Sequence, residues 1–288
     1  MDDKPIVAFD TNAINGLADD PDCAAFLPKI RVSFHVRLSV TCVGELIATP
    51  DAPRRNKLLA LSKELVRSGD CIHNAYELLQ ILICDFERSQ EFDWRSVDVR
   101  FHEAEDVLRS GAAFDDGESR SVCKENREAK RKFEEFYKKF NPLYKQAFAQ
   151  GGSTRPGSLK ESVERLRKTG SFERMASVLY AYISAHDPKR DPPPASAVER
   201  FLCACPPFHA DLLGFCAARY TRNLKPSQST SMKAGALDTS MAICLPYCDI
   251  FVTNDSRMQN CFKEIGVVAG LPLEVLSYEC FRQRVVAR

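Results

Sequence analysis

Ile6-Val7-Ala8-Phe9 runs directly into Asp10-Thr11-Asn12, so a short apolar strand is closed by a carboxylate. That ending delivers a negative oxygen pair to the carboxyl edge of a sheet, where open α/β folds place their sites. A single such acid can equally be a helix cap or a turn former. Its meaning depends on which other acids the chain brings to the same edge.

Strand and helix patterns alternate at both ends of the chain. Residues 5–10 read as a strand, and Ala13 to Leu17 as a short helix ended near Asp19-Asp20-Pro21. The alternation Val32, Phe34, Val36, Leu38, Val40 predicts a second strand over 32–40. Ser39 and Thr41 are candidate N-caps for a following helix that carries Glu45. Near the other end, Leu237 to Leu245 reads as a helix opening at Asp238, and Asp249 to Thr253 as a compact strand leading into Asn254-Asp255. Val267-Val268 and Glu274-Val275-Leu276 read as short strands separated by a Gly270-Leu271-Pro272 turn. This order predicts an α/β fold with a parallel sheet flanked by helices.

The middle, from about 55 to 220, carries little strand pattern. Leu58 to Val66, Tyr76 to Leu82 and Ser121 to Phe140 have helical spacing or composition, while Gly151–Gly157 and Asp191–Pro194 read as breaks. The expected organisation is a discontinuous core, 1–54 and 230–288, interrupted by a mainly α-helical insertion over 55–229.

Asp10 and Asp255 each end an apolar strand, while Glu45 and Asp238 lie near helix starts. In a parallel α/β sheet these positions share one edge, so four acids distant in sequence can converge. Carboxylates packed together repel, and the cluster makes physical sense if it holds hard divalent cations. Taken singly, each also has an ordinary role, as a turn acid or as a charge favoured at a helix start.

The motifs Ile6-Val7-Ala8-Phe9-Asp10-Thr11-Asn12, Thr41-Cys42-Val43-Gly44-Glu45-Leu46, Leu237-Asp238-Thr239-Ser240-Met241-Ala242 and Ile250-Phe251-Val252-Thr253-Asn254-Asp255 resemble those of the PIN-domain nucleases, VapC-type toxins included. The resemblance covers roughly residues 5–50 and 235–280. It departs from a compact PIN domain in the separation of 193 positions from Glu45 to Asp238. It implies a PIN-like core in which Asp10, Glu45, Asp238 and Asp255 ligate Mg²⁺ or Mn²⁺ and hydrolyse phosphodiester bonds in RNA. Thr11 and Thr253 would hydrogen-bond the carboxylates or the phosphate, and Asn12 would orient Asp10. The implied partners are RNA, single-stranded or structured, and a cognate antitoxin or a second copy of the chain. Two alternatives remain open: an inactive RNA-binding or assembly module, and another metal phosphohydrolase. A haloacid-dehalogenase-like enzyme is disfavoured because residue 12 is Asn where that family needs a second Asp.

Net charge is only +1, so a nucleic-acid surface requires local clustering. From Arg120 to Gly170 fourteen basic residues face six acids, a net +8, with Phe133, Phe136, Tyr137 and Tyr144 interleaved. Lys130, Arg131 and Lys132 are the candidate phosphate contacts. The alternative is a solvated helix face with its aromatics packed inward. The twelve cysteines read as free thiols, and Cys203, Cys205, His209 and Cys216 match no zinc spacing. The five histidines show no metal spacing, and no glycine-rich phosphate loop is present. No stretch approaches the ~20 apolar residues of a membrane helix. Met1-Asp2-Asp3-Lys4-Pro5 lacks signal-peptide character, so a cytoplasmic location is expected.

Overall fold

The structure, a computed structural model, describes residues 4–111, 114–150, 156–184, 193–224 and 239–287 of the chain. Five strands form one all-parallel sheet: β1 (Ile6–Phe9), β2 (His35–Ser39), β3 (Gly69–Ile72), β4 (Ile250–Val252) and β5 (Glu274–Leu276), in the order β3-β2-β1-β4-β5. Between the first strands lie α1 (Thr11–Asp19), α2 (Cys23–Ser33), α3 (Val40–Ile47) and α4 (Ala52–Val66). After β3 come α5 (Ala75–Arg88), α6 (His102–Ser110), α7 (Asp116–Lys138), α8 (Asn141–Gln150), α9 (Leu159–Lys168), α10 (Ser171–Ser184), α11 (Ala195–Ala204) and α12 (Pro206–Leu224). A 3₁₀ helix, Met241–Tyr247, precedes β4, and α13 (Ser256–Ala269) and α14 (Tyr278–Val286) flank β5.

Strand alternation divides the core into two layers. Val7, Phe9, Val36, Leu38, Ile250 and Val252 face one layer, with residues of α1 to α4 and α14. Ala8, Ile72 and Phe251 face the other, with α5 and α8 to α13. Both faces of the sheet are therefore covered, as parallel sheets require. Phe281 packs against Phe9 and Phe34 with ring centroids 5.2 and 5.3 Å away, and on the other side Phe251 meets Phe262 at 5.0 Å.

Several expected elements differ. The second strand is confined to His35–Ser39, and Val32 belongs to α2, 72% exposed. Phe26 and Ile30, four apart and buried, give that segment a helical face that overrides the alternation. Val267-Val268 is the last turn of α13, not a strand; Met258, Phe262, Ile265 and Gly266 form its buried face and Val267 is 77% exposed. The segment after Asp238 is a 3₁₀ helix from Met241, with Pro246 inside it, packed closely on α12. The span read as mainly α-helical, 55–229, also contributes β3 to the sheet edge. The Gly151–Arg155 and Asp191-Pro192 breaks lie outside the described residues.

Gly-Asp-Cys-Ile is a poor strand sequence, and its partners explain β3. Arg37 on β2 stands in register with Asp70 and grips it with two bonds of 2.7 Å, while also donating to the Tyr247 carbonyl. His35 Nε2 lies 3.0 Å from the same carboxylate. These bonds hold the Asp70 carboxyl well below its ordinary range against the opposing effect of burial. Gly69 stands so close to Val36 that an added Cβ would lie 1.6 Å from its carbonyl oxygen.

Among the described residues no single helix is long and apolar enough to cross a membrane. The pair Ala195–Ala204 and Pro206–Tyr220 reaches that length only across a 99° bend. Its Phe201, Phe208, Leu212 and Leu213 are buried in the core.

Gly69→Ala is expected to destabilise the fold by about 2–4 kcal/mol or to prevent folding, because the clash is with backbone. A urea midpoint equal to that of wild type would contradict the β2–β3 register.

Candidate active site

The strand order reverses direction between β1 and β4, which are neighbours in space but distant in sequence. Such a switch point opens a crevice outside the carboxyl ends of the two strands. Both strands end there in polar residues: Asp10 after β1, and Thr253-Asn254-Asp255 after β4.

Asp10 extends the β1–β4 ladder by one bond, its N–H donating to the Val252 carbonyl at 3.1 Å. Its side chain caps α1, with Oδ1 accepting from Ala13 N–H at 2.7 Å. Oδ2 accepts from the Thr253 hydroxyl at 2.6 Å. The residue is 2% exposed. Burial pushes its carboxyl up to about 6; the Thr253 and Ala13 bonds oppose this, and the Glu45 and Asp255 carboxylates add to it. Three of the four sequence-selected acids therefore act on one another electrostatically at this edge.

Thr253 joins two of them directly. While its hydroxyl donates to Asp10, its oxygen accepts the Asp255 N–H at 3.0 Å. Asp255 in turn caps α13, Oδ1 accepting from Arg257 N–H at 2.7 Å and Met258 N–H at 3.1 Å. On the other side, Ser39 caps α3 by accepting from Cys42 N–H at 3.1 Å. That start sets Glu45 on the exposed side of α3, where the Thr11 hydroxyl donates to Glu45 Oε2. Thr41 lies inside α3, one residue past its start.

Two supports were not evident from sequence. Asn254 Oδ1 accepts from Tyr278 N–H at 3.0 Å, and the Tyr278 hydroxyl donates to Asp20 at 2.7 Å. Gly16 of α1 lies beneath this turn, and a Cβ there would come within 2.7 Å of Asn254 Nδ2. The turn carrying Asp255 is thereby pinned to α1 and α14. Sequence offered one signal, a glycine inside a short helix, whose reason is close packing.

The remaining candidates are placed as follows. Asn12 is exposed, and the described bonds that orient Asp10 come from Ala13 and Thr253. Asp238 lies outside the described residues. Asp249 sits at the opposite sheet edge, accepting from Ile6 N–H at 2.7 Å. Cys205 and Cys216 are buried while Cys203 is exposed. His209 Nε2 is 3.3 Å from Arg167, and burial with that cation lowers its pKa to about 4.

Among the described residues no three His, Cys, Asp or Glu side chains are grouped so that they could hold a metal ion. The donor chemistry at Asp10, Glu45 and Asp255 nonetheless suits a hard divalent ion. These are hard oxygen donors, and burial, with the Glu45 and Asp255 charges adding to it, pushes the Asp10 carboxyl up to about 6.

The basic segment runs along α7. Arg131 is engaged by Glu128 at 2.6 Å and Glu135 at 2.5 Å, so part of the local charge is neutralised within the helix. Lys132 is exposed and Lys130 half-buried. Phe136 and Tyr144 pack inward; the side chains of Phe133 and Tyr137 lie outside the described set. No protein-family model, curated protein or solved structure matches the chain.

The raised Asp10 pKa has a definite consequence for stability. From about pH 4 to about pH 6 the folded chain holds a proton that the unfolded chain has lost, so stability falls as pH rises through that window. Asn at this position is neutral throughout; its Oδ1 can still accept from Ala13 N–H, while its Nδ2 must donate to the Thr253 hydroxyl oxygen, reversing that bond. Asp10→Asn is therefore expected to be more stable than wild type above pH 7 by roughly 1–3 kcal/mol in EDTA, the gap closing near pH 4. Equal urea midpoints above pH 7 would contradict the buried, charge-crowded Asp10.

Proposed function

We propose that this chain is a metal-dependent endoribonuclease with a PIN-like α/β core and a long helical segment between its second and fourth strands. The observation that carries this reading is the Thr253 bridge, which links Asp10 to the turn bearing Asp255 at the switch point. In this reading Asp10, Glu45 and Asp255, with Asp238, hold Mg²⁺ or Mn²⁺. Bound there, the ion supplies charge neutralisation at the scissile phosphate and acidifies a water molecule.

The chain's own residues prepare that edge. Thr253 and Ala13 fix both oxygens of Asp10, so its rotamer is set before any ligand arrives. Thr11 holds Glu45 by a hydroxyl, which leaves the carboxylate its charge. Capping by Asp255 uses Oδ1 on two backbone donors, and the carboxylate has a second oxygen for a ligand. Preorganised acids of this kind bind a cation without reorganising, at the cost of repulsion in its absence.

A labelled single-stranded RNA incubated with the purified chain is expected to be cut internally with Mg²⁺ or Mn²⁺ and left intact in EDTA. Asp10→Asn, Glu45→Gln and Asp255→Asn should each lower the rate by about 100-fold or more, since losing even a supporting group at a metal site costs about 10–100-fold. At limiting metal the rate should fall as pH drops below about 6, because a proton on Asp10 competes with the ion for the carboxylate. Cleavage that survives EDTA or Asp10→Asn would overturn the assignment. RNA binding without metal-dependent cleavage would favour an inactive binding module instead.

A further inference from the structure

The helix α7 passes the acidic edge near its middle and ends in an aromatic cluster. Midway along it, the position a Cβ on Gly44 would occupy lies 3.5 Å from Asn126 Oδ1 and 3.9 Å from Val122, so α7 packs on α3 at the residue before Glu45. Ten residues further on, about 15 Å along the helix axis, Phe136 stacks on Tyr182 of α10 at a centroid distance of 4.0 Å and 26° between planes. Tyr76 meets the same Tyr182 ring edge-on at 6.0 Å. It lies in the first turn of α5, which leaves the carboxyl end of β3 and so the same edge of the sheet as Asp10.

Lys139, just past the end of α7, completes the group. Its ammonium lies 5.3 Å from the Tyr182 ring centroid and 5.5 Å from that of Phe136. Phe136 is buried, whereas Tyr182 is 36% exposed and Lys139 is exposed. An accessible ring backed by a second, parallel ring and flanked by a cation is the chemistry that holds an unpaired base and its phosphate. A folded core gains little from leaving such a ring in water.

We propose that Tyr182 and Lys139 form a stacking site for an unpaired base of single-stranded RNA, reached along α7 from the acidic edge. The proposal rests on the reading of that edge as an RNA-cleaving site and names how its substrate is gripped. Tyr182 supplies the face on which a base stacks, and Lys139 the charge for the adjoining phosphate. Sequence tolerance follows, because every base has a π-face. Duplex RNA is excluded, because its bases are already stacked and paired.

Fluorescence anisotropy with a labelled, uridine-rich single-stranded RNA and the full chain in EDTA tests this without any cleavage. Tyr182→Leu keeps apolar volume but removes the π-face, and is expected to weaken binding about 5- to 150-fold, the range for one stacked base. Tyr182→Phe should bind like wild type. Lys139→Ala, at an exposed position, should weaken binding and reduce the salt slope by about one. Wild-type affinity in both Tyr182→Leu and Lys139→Ala, or equal affinity of wild type for duplex RNA, overturns the proposal. So does wild type binding an acidic peptide but not the RNA. Thermal melts of each variant separate folding from binding, and the Lys139→Ala salt slope decides the matter if Tyr182→Leu unfolds. Because no metal is present, Tyr182-dependent binding with no later cleavage would retain this site and reject the nuclease. Metal-dependent cleavage with an unchanged KM in Tyr182→Leu would do the reverse.

Discussion

One hydroxyl organises the acidic edge. Thr253 donates to Asp10 and accepts from the Asp255 backbone, so two acids 245 positions apart are held by a single side chain. This is possible because β1 and β4 are parallel neighbours in register, Phe9 beside Val252. Their next residues, Asp10 and Thr253, then stand side by side beyond the last strand pair. The α1 cap, the α13 cap and the entry to both helices follow from that juxtaposition. A carboxylate that is buried, crowded by like charge and yet fully hydrogen-bonded is costly to folding. The surrounding packing of Phe281 on Phe9 and Phe34 supplies the stability that tolerates it.

Much of this edge was legible because local signals agreed with each other. Apolar runs ending in Asp10 and Thr253-Asn254-Asp255, and a Ser39 cap before Glu45, each mark a strand end or helix start without reference to anything distant. What stayed hidden depends on partners. β3 contains a glycine and an aspartate, and becomes a strand because Arg37 pairs with Asp70 and Val36 accepts the close approach of Gly69. The Asn254–Tyr278 bond crosses 24 positions and exists only once α14 folds back. Val267-Val268 has the β-branched composition of a strand, but the buried stripe from Met258 to Gly266 had already committed the segment to a helix.

The helical segment between Glu45 and Asp238 is physically continuous with the sheet. It contributes β3 to the sheet, lays α7 on α3 beside Glu45, and packs α12 against the 3₁₀ helix that leads into β4. At this last contact Gly214 lies so near the Thr239 carbonyl that a Cβ would come within 2.5 Å of it. Changes in α7 and α12 therefore reach α3 and the 3₁₀ helix before β4 through direct packing.

Charge explains why a catalytic edge of this kind would need such a segment. Three carboxylates repel an RNA backbone, and a chain of net charge +1 offers no general attraction to counter them. Compensation has to come from cations placed close by, within about 10 Å at ordinary salt. On α7 not every basic residue counts toward this, because Arg131 is bound by Glu128 and Glu135 and contributes little net field. Exposed basic residues run the length of α7, with Arg120, Lys124 and Arg127 in its first half and Lys132, Lys138 and Lys139 toward the end that meets Tyr182. The acidic edge meets the middle of α7 and the Tyr182 cluster its end, so the two places are built from separate residues.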